Sequence, residues 1–188
     1  MFRPILLLIL GIFAFGACQT EPLPDGNGAF TLERGLEYKL GPGDKLRITV
    51  FNDAALSGDF MISNTGMVVL PLTGPVKAGG LNPAEFQAAV TEQISAAKMV
   101  RDPRVTVDVL EYRPYYVLGE VANPGKYDYA IGLTVTKAVA TAGGFSYRAD
   151  EKVAYVTREG KTTETPVPIT AATWIGPGDT LRIAQRLF

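Results

Sequence analysis

The chain of 188 residues has no histidine, only one cysteine and no excess of basic residues. Without histidine, Ser–His–Asp and Cys–His catalytic arrangements and imidazole metal sites are excluded. The 18 Lys and Arg residues face 19 Asp and Glu residues, so composition indicates no basic surface for nucleic acid. A single cysteine cannot form a disulfide within the chain.

Paired carboxylates are the remaining route to hydrolysis, because two acidic side chains can cleave a glycan without histidine. The candidates are Asp53, Asp59, Glu111, Glu120, Asp128 and Asp150. Nothing in their spacing pairs any two of them, and carboxylates on strands and turns are usually solvated. We therefore predict no catalytic residue, metal site or cofactor, and expect that the chain is not an enzyme.

The longest apolar run lies at the N-terminus, where Arg3 precedes residues 5–15. The run is short for a membrane span and is followed by the small residues Gly16 and Ala17. It predicts an export signal over residues 1–17. Cys18 falls at the expected cleavage point, where the alternatives are a modified cysteine, a buried core thiol or a plain secretory cut.

The sequence GPGD occurs twice, at 41–44 and 176–179, and an alternating strand pattern follows each copy. Proline suits the second position of a tight turn, and glycine supplies the positive φ that a type II turn requires at the third. A dinucleotide-binding loop would need a third glycine and a helix directly after it. Leu46 and Leu181 stand at the third glycine's position and a strand pattern follows, so GPGD is not such a loop. We predict structural turns, with each aspartate accepting a backbone N–H, at Gly41, Pro42, Gly43 and Asp44, and at Gly176, Pro177, Gly178 and Asp179.

A first domain is predicted over residues 35–112, after a tether over residues 18–34 that is rich in Pro, Gly and acid. Leu46, Ile48 and Val50 alternate as a strand, and further strands are expected at 58–63, 66–72 and 105–109. One helix is predicted to begin after Asn82. Proline follows Asn82 at the first helical position, and Glu85 lies three residues after Asn82, as in a capping box. Its apolar face is expected to contain Phe86, Val90, Ile94 and Ala97.

A second domain is predicted over residues 113–188. Strands are expected at 115–121, 126–130, 153–158, 161–167 and 181–184, and a short helix at 134–142. Two strands, a helix, a hairpin and a last strand indicate an α+β sheet with a helix across one face.

Tyrosines concentrate in or beside the second domain. Seven of the eight lie there: Tyr112, Tyr115, Tyr116, Tyr127, Tyr129, Tyr147 and Tyr155. Their rings could stack on sugars, or they could serve a core or a subunit interface, since tyrosine is also a good strand residue. Candidates for glycan contact or an interface are Tyr115, Tyr116, Asn123, Lys126, Tyr127, Tyr129, Tyr147 and Arg148.

The cleavage region, Phe15-Gly16-Ala17-Cys18, resembles the lipobox of bacterial lipoproteins, in which the cysteine is acylated and becomes the first residue. The resemblance implies lipidation of Cys18. Because Gln19 rather than Asp follows the cysteine, it also implies sorting to the periplasmic face of the outer membrane.

A series of motifs along the chain resembles the Wza-like outer-membrane polysaccharide export proteins. The motifs are YKLGPGD at 38–44, PLTG at 71–74, AGGL at 78–81, DPRVTV at 102–107, VLGEVANPGKY at 117–127, and the span from Thr134 to Gly144. The resemblance implies a polysaccharide export domain followed by a soluble-ligand-binding β-grasp (SLBB) domain, after a lipoprotein signal peptide.

The family's function is thereby implied as well: a component of a capsular or exopolysaccharide export channel that forms a conduit for the polymer. Implied partners are the polysaccharide, an inner-membrane co-polymerase and other copies of the chain in a ring. Longer family members carry a C-terminal amphipathic helix, whereas this sequence stops after the last strand, so we expect a separate outer-membrane barrel. The alternative is a monomeric glycan-binding lipoprotein without a channel role.

Overall fold

The computed structural model describes residues 38–98 and 100–186. The predicted signal peptide, Cys18 and most of the tether lie outside the described residues. The described part forms ten strands and two helices around two hydrophobic cores, one built from residues 40–105 and the other from residues 115–183. This confirms the predicted α+β class.

The first core is enclosed by five strands and one helix. They are β1 (Lys45–Val50), β2 (Asp53–Met61), β3 (Met67–Leu70), β4 (Gly74–Lys77), α1 (Pro83–Ala96) and β5 (Val105–Glu111). The order β2-β1-β5 makes an antiparallel sheet, and β3 and β4 form a separate hairpin. The alternating residues Leu46, Ile48 and Val50 point from the central strand into the core, as predicted.

Helix α1 begins as the sequence predicts. Asn82 accepts the N–H of Glu85 at 2.8 Å, and the Glu85 carboxylate accepts the N–H of Asn82 at 2.8 Å. Phe86 is one of three residues on the face that this helix buries. Ala97 was expected on the same face, but that prediction is wrong: the helix ends at Ala96, and Ala97 is an exposed cap.

The second core lies between a five-stranded sheet and a short helix. Its elements are β6 (Tyr115–Gly119), β7 (Gly125–Tyr127), α2 (Val135–Thr141), β8 (Ala149–Thr157), β9 (Glu164–Pro168) and β10 (Thr180–Gln185). The sheet order is β7-β6-β10-β8-β9, in which β6 and β10 are parallel and the other pairs antiparallel. Helix α2 buries Val135, Ala138 and Val139 against one face of this sheet.

Several strand boundaries differ from the prediction; β8, for example, starts at Ala149 rather than at residue 153. Strand β7 stops at Tyr127, because it makes only three pairs with β6 before the chain leaves the sheet. Strand β2 starts five residues earlier than predicted, since Asp53 pairs with Val50 across the turn after β1. Strand β9 begins at Glu164 rather than at residue 161 because a turn occupies the residues before it, with the N–H of Lys161 donating to the carbonyl of Arg158.

Residues 38–98 and 100–186 include no helix long and apolar enough to cross a membrane.

Candidate functional site

The first GPGD copy forms the predicted turn. The N–H of Asp44 donates to the carbonyl of Gly41 at 3.2 Å, and Gly43 has φ of 93°. Oδ2 of the Asp44 carboxylate accepts the N–H of Gly41 at 2.7 Å. The turn is therefore closed from both sides, by its backbone and by its own aspartate.

The second copy repeats this geometry. The N–H of Asp179 donates to the carbonyl of Gly176 at 3.3 Å, and Gly178 has φ of 81°. Oδ2 of Asp179 accepts the N–H of Gly176 at 2.7 Å. Both copies therefore form the same turn, closed by a backbone hydrogen bond and by its own aspartate.

Each buried aspartate also pairs with an arginine. Oδ2 of Asp44 lies 2.9 Å from Nη1 of Arg113, and Oδ2 of Asp179 accepts a hydrogen bond from Nη1 of Arg158. The other carboxylate oxygen accepts a backbone N–H in each case, from Arg113 at 2.9 Å and from Glu159 at 3.1 Å. A buried carboxylate needs such partners, because leaving its charge unpaired is strongly destabilising.

The two turns meet at the segment that links the two cores. Nε of Arg113 donates to the Glu159 carboxylate at 2.7 Å. Because Arg113 binds Asp44 of the first turn and the N–H of Glu159 binds Asp179 of the second, this hydrogen bond links the two turns. The N–H of Gly178 donates to the carbonyl of Pro114 at 3.0 Å. Residues 113–114 thus contact both turns, and the repeated GPGD sequence builds the two sides of one junction.

Tyrosine rings cover one side of this junction. Tyr112 makes an edge contact with Tyr38, with ring centroids 4.8 Å apart, and another with Tyr129 at 5.7 Å. The hydroxyl of Tyr38 donates to Asp44. Burial, and then the hydrogen bond to the Asp44 carboxylate, hold the pKa of Tyr38 far above its ordinary value. Burial likewise raises the pKa of Tyr112 and of Tyr129.

The predicted contact residues do not form one site. Tyr115 is buried in the second core with 1% exposure and stacks on Tyr127 at 5.8 Å, so glycan contact by Tyr115 is wrong for this structure. The hydroxyl of Tyr127 donates to the carbonyl of Asn123 at 2.5 Å within the β6–β7 connection. These three residues stabilise the second domain, whereas Tyr129 lies at the junction.

The other predicted contact residues lie on two separate surfaces. Tyr116 and Lys126 are cross-strand neighbours on the exposed face of the sheet, opposite α2. Tyr147 is 86% exposed, and the guanidinium of Arg148 lies 5.7 Å from its ring centroid. Whether these residues touch glycan or a neighbouring subunit stays a prediction.

Most of the acidic candidates have separate local partners. Asp59 forms an ion pair with Arg47, which lowers the pKa of this exposed carboxyl. Glu120 accepts the Ser146 hydroxyl. Asp53 and Asp150 accept nearby backbone N–H groups. Only Glu111 and Asp128 come together, as lining residues of one pocket at the junction.

The sequence prediction missed Arg113, Arg158 and Glu159. The sequence places Arg113 at the boundary between the two predicted domains and indicates no further role for it. The available signal was the duplicated turn itself, since two aspartates fixed in turns before core strands require cationic partners once they are buried. Tyr38 carries a similar signal, because it precedes the first turn closely enough to reach its aspartate.

Two family profiles match the chain. The profile described as polysaccharide biosynthesis/export protein covers residues 33–110, and the SLBB domain profile covers residues 114–169. The first match covers the first core, the second covers the second core as far as residue 169, and Arg113 lies between the two matches.

Curated relatives carry names from the same field. The exopolysaccharide production protein ExoF of Rhizobium meliloti is 37% identical over 131 residues, which cover 64% of this chain and 31% of the relative. The EPS I polysaccharide export outer membrane protein EpsA of Ralstonia nicotianae is 29% identical, with 82% of this chain and 49% of the relative covered. The polysialic acid transport protein KpsD of Escherichia coli is 29% identical, with 78% of this chain and 26% of the relative covered.

The chain spans between about a quarter and a half of the length of these relatives. All three are named for production, export or transport of a polymer rather than for an enzymatic reaction. The order of the two profiles, and the strands and turns that fill them, agree with the motif series found along the sequence. The chain belongs to the polysaccharide biosynthesis/export family, with an SLBB domain after its export domain.

Proposed function

We propose that this chain is a component of the machinery that carries a capsular or secreted polysaccharide from the periplasm to the cell surface. The observation that supports the proposal most strongly is the presence of an export domain and an SLBB domain in direct succession, joined at one bonded junction. The relatives named for exopolysaccharide production and export point the same way.

The proposed role is positional rather than catalytic. Among the described residues, no group of three or more His, Cys, Asp or Glu side chains could hold a metal ion. Glu111 is engaged by Lys45 at 3.0 Å, and the other walls of its pocket include two tyrosines and a leucine. We propose that these residues contact polymer without cleaving it.

Membrane attachment through Cys18 completes the proposed location at the periplasmic face of the outer membrane. The name of the relative EpsA, an outer membrane protein, supports this location. Acyl chains would hold the chain firmly, because each buried methylene contributes about 0.8 kcal/mol. Replacing Cys18 with serine should release the protein into the soluble periplasmic fraction and abolish incorporation of labelled palmitate.

A conduit for a polymer requires several copies arranged as a closed ring, in which one face of a subunit meets a different face of the next. Two kinds of surface in the described residues suit this arrangement. The edge strands β7 and β9 are open for pairing, and Tyr116 and Leu118 expose apolar side chains on the sheet face opposite α2. In the complete machinery, an inner-membrane co-polymerase and a separate outer-membrane component would adjoin this ring.

The second candidate function is a monomeric glycan-binding lipoprotein, which the exposed pair Tyr147 and Arg148 would suit. Cross-linking in cells separates the two: a conduit predicts a ladder that ends at one discrete high-order species, and a glycan-binding monomer predicts no ladder.

The test of the proposed function is deletion of the gene. Surface or secreted polysaccharide should be lost while lipid-linked repeat units are still made. The full chain should restore the polymer, and a chain lacking residues 115–188 should not. Normal polymer in the deletion strain, with no second copy of such a gene in the genome, would contradict the proposal.

A further inference from the structure

A pocket of about 240 Å³ lies beside the junction of the two domains. Its lining residues come from both: Leu110, Glu111 and Tyr112 at the end of β5, and Asp128 and Tyr129 just after β7. The volume is below the range of about 300–1,000 Å³ in which pockets enclose a drug-sized ligand. It suits a single sugar residue within a longer polymer.

The aromatic part of the pocket is held in place by its neighbours. Tyr112 lies between Tyr38 and Tyr129, with interplanar angles of 88° and 74°. Rings fixed in this way lose little conformational entropy when a ligand arrives, and tyrosine offers an apolar face together with a polar tip. Both hydroxyls are protonated and able to donate at neutral pH, as tyrosine ordinarily is, and burial raises the pKa of each further.

The polar part of the pocket accepts hydrogen bonds. Oε1 of Glu111 is paired with Nζ of Lys45 at 3.0 Å. Within the described residues, the Asp128 carboxylate has no ion-pair partner. Carboxylates form strong charge-assisted hydrogen bonds with hydroxyl groups.

The charge of the pocket limits its ligand. Lys45 is engaged by Glu111, and the guanidinium of Arg113 is engaged by Asp44 and Glu159. A sugar that carries its own carboxylate would therefore meet like charge at Glu111 and Asp128, and like-charge contacts oppose binding.

We infer that this pocket is a binding site for one uncharged pyranose residue, with one ring of the Tyr112–Tyr129 edge pair against its apolar face, the other ring at its rim, and the carboxylates of Asp128 and Glu111 accepting its hydroxyls. The inference rests on the proposed role in polysaccharide export and adds to it the class of sugar that the junction recognises. It also gives the junction a second use: the bonds that join the domains hold both halves of the site together.

The test measures oligosaccharide binding to the purified full chain in mild detergent by NMR titration. The probes are neutral gluco-, manno- and galacto-oligosaccharides, with an oligogalacturonate of the same length as the acidic comparison. At least one neutral probe should shift the resonances of Tyr112 and Tyr129, and the oligogalacturonate should bind more weakly than that probe. Asp128→Ala and Tyr129→Ala should each weaken neutral binding about tenfold or more, the scale of one hydrogen bond to a charged group. Glu92→Ala, at an exposed carboxylate of α1 outside the pocket, is the matched control and should bind as the wild type does.

Asp128→Lys should shift the preference toward the oligogalacturonate, and it changes an exposed residue, so the fold should persist. The inference is overturned if no neutral probe binds saturably, or if the wild type binds the acidic probe more tightly than the neutral probes. It is also overturned if both alanine variants keep wild-type affinity for the neutral probe, or if the probe is cleaved. If export is lost in the deletion strain and any of these results is also found, the proposed function is supported and only the sugar-binding site is rejected.

Discussion

Arg113 and Asp44 form an ion pair that fixes the linker between the two domains to the turn at the start of the first sheet. Nη1 of Arg113 lies 2.9 Å from Oδ2 of Asp44, and the backbone N–H of the same arginine donates to Oδ1 at 2.9 Å. Asp44 has no exposed surface, and the Arg113 side chain is 13% exposed. Through Nε the same guanidinium reaches Glu159 in the second domain.

Removing this arginine should destabilise the protein and separate the unfolding of its domains. Arg113→Ala leaves a buried carboxylate without its cation, and breaking such a pair typically costs about 3–5 kcal/mol. Urea unfolding can be followed by circular dichroism for the whole chain and by fluorescence of Trp174, the only tryptophan, for the second domain. The two midpoints should coincide in the wild type and diverge in the variant.

The matched control for Arg113 is Arg47→Ala, which removes an arginine from the exposed ion pair with Asp59. Solvent screens such pairs, so the unfolding midpoint should change little. Equal effects of the two substitutions would contradict the structural role assigned to Arg113.

Gly119 should tolerate no side chain. It has φ of 84°, and a Cβ at this position would lie 2.0 Å from the carbonyl oxygen of Ile183 on the parallel neighbour β10. Gly160 also has a positive φ, of 70°, but open space around it. Gly160→Ala should cost about 1–2 kcal/mol, the strain of a left-handed residue. Gly119→Ala should cost clearly more, because the two strands must also move apart. Similar thermal unfolding of the two variants would show that the β6–β10 contact is looser than described.

The cap of α1 should contribute a measurable part of the stability of the first domain. Asn82→Ala removes the acceptor for the N–H of Glu85 and should cost about 1 kcal/mol. Asn82→Asp keeps the acceptor and should leave the free energy of unfolding nearly unchanged. Chemical denaturation of both variants separates loss of the cap from a general effect of substitution at this residue, because only the alanine variant should be weakened.

High pH should destabilise the protein through its buried tyrosines. The pKa of Tyr38 is raised in the folded state, by burial and by the Asp44 carboxylate, whereas in the unfolded chain it returns to about 10. Above pH of about 10 the unfolded state therefore binds fewer protons than the folded state, and stability falls as pH rises toward the folded pKa. Tyr38→Phe should make this decline shallower, and Tyr147→Phe, at an exposed position, should not. An unchanged slope in Tyr38→Phe would contradict the burial of this hydroxyl.

The parts that sequence predicts well are those set by neighbouring residues. The GPGD turns follow from the φ preferences of Pro and Gly, and the start of α1 follows from Asn82 and Glu85, three residues apart. The strand alternation in β1 likewise reveals which side chains enter the core. These features depend on contacts within a few positions, so one sequence suffices to predict them.

The parts that sequence did not predict depend on distant contacts. Arg113 lies 69 positions from Asp44 and 46 from Glu159, and no local pattern indicates that they meet. Strand alternation places Tyr115 and Tyr116 on opposite faces of β6, but which face is buried depends on the packing of α2 and the other strands. Tyr129, just beyond the end of β7, contacts Tyr112, which lies 17 positions earlier in the chain.

The most direct test of the proposed export role is the location of newly made polymer. Cells with and without the gene are pulse-labelled with a radioactive sugar, and labelled polymer is measured in the periplasm and in the medium during a chase. Without the gene, we expect labelled polymer, or its lipid-linked precursors, to remain inside the outer membrane while the medium stays unlabelled, and the full chain should restore release. Equal release into the medium by both strains would contradict the account.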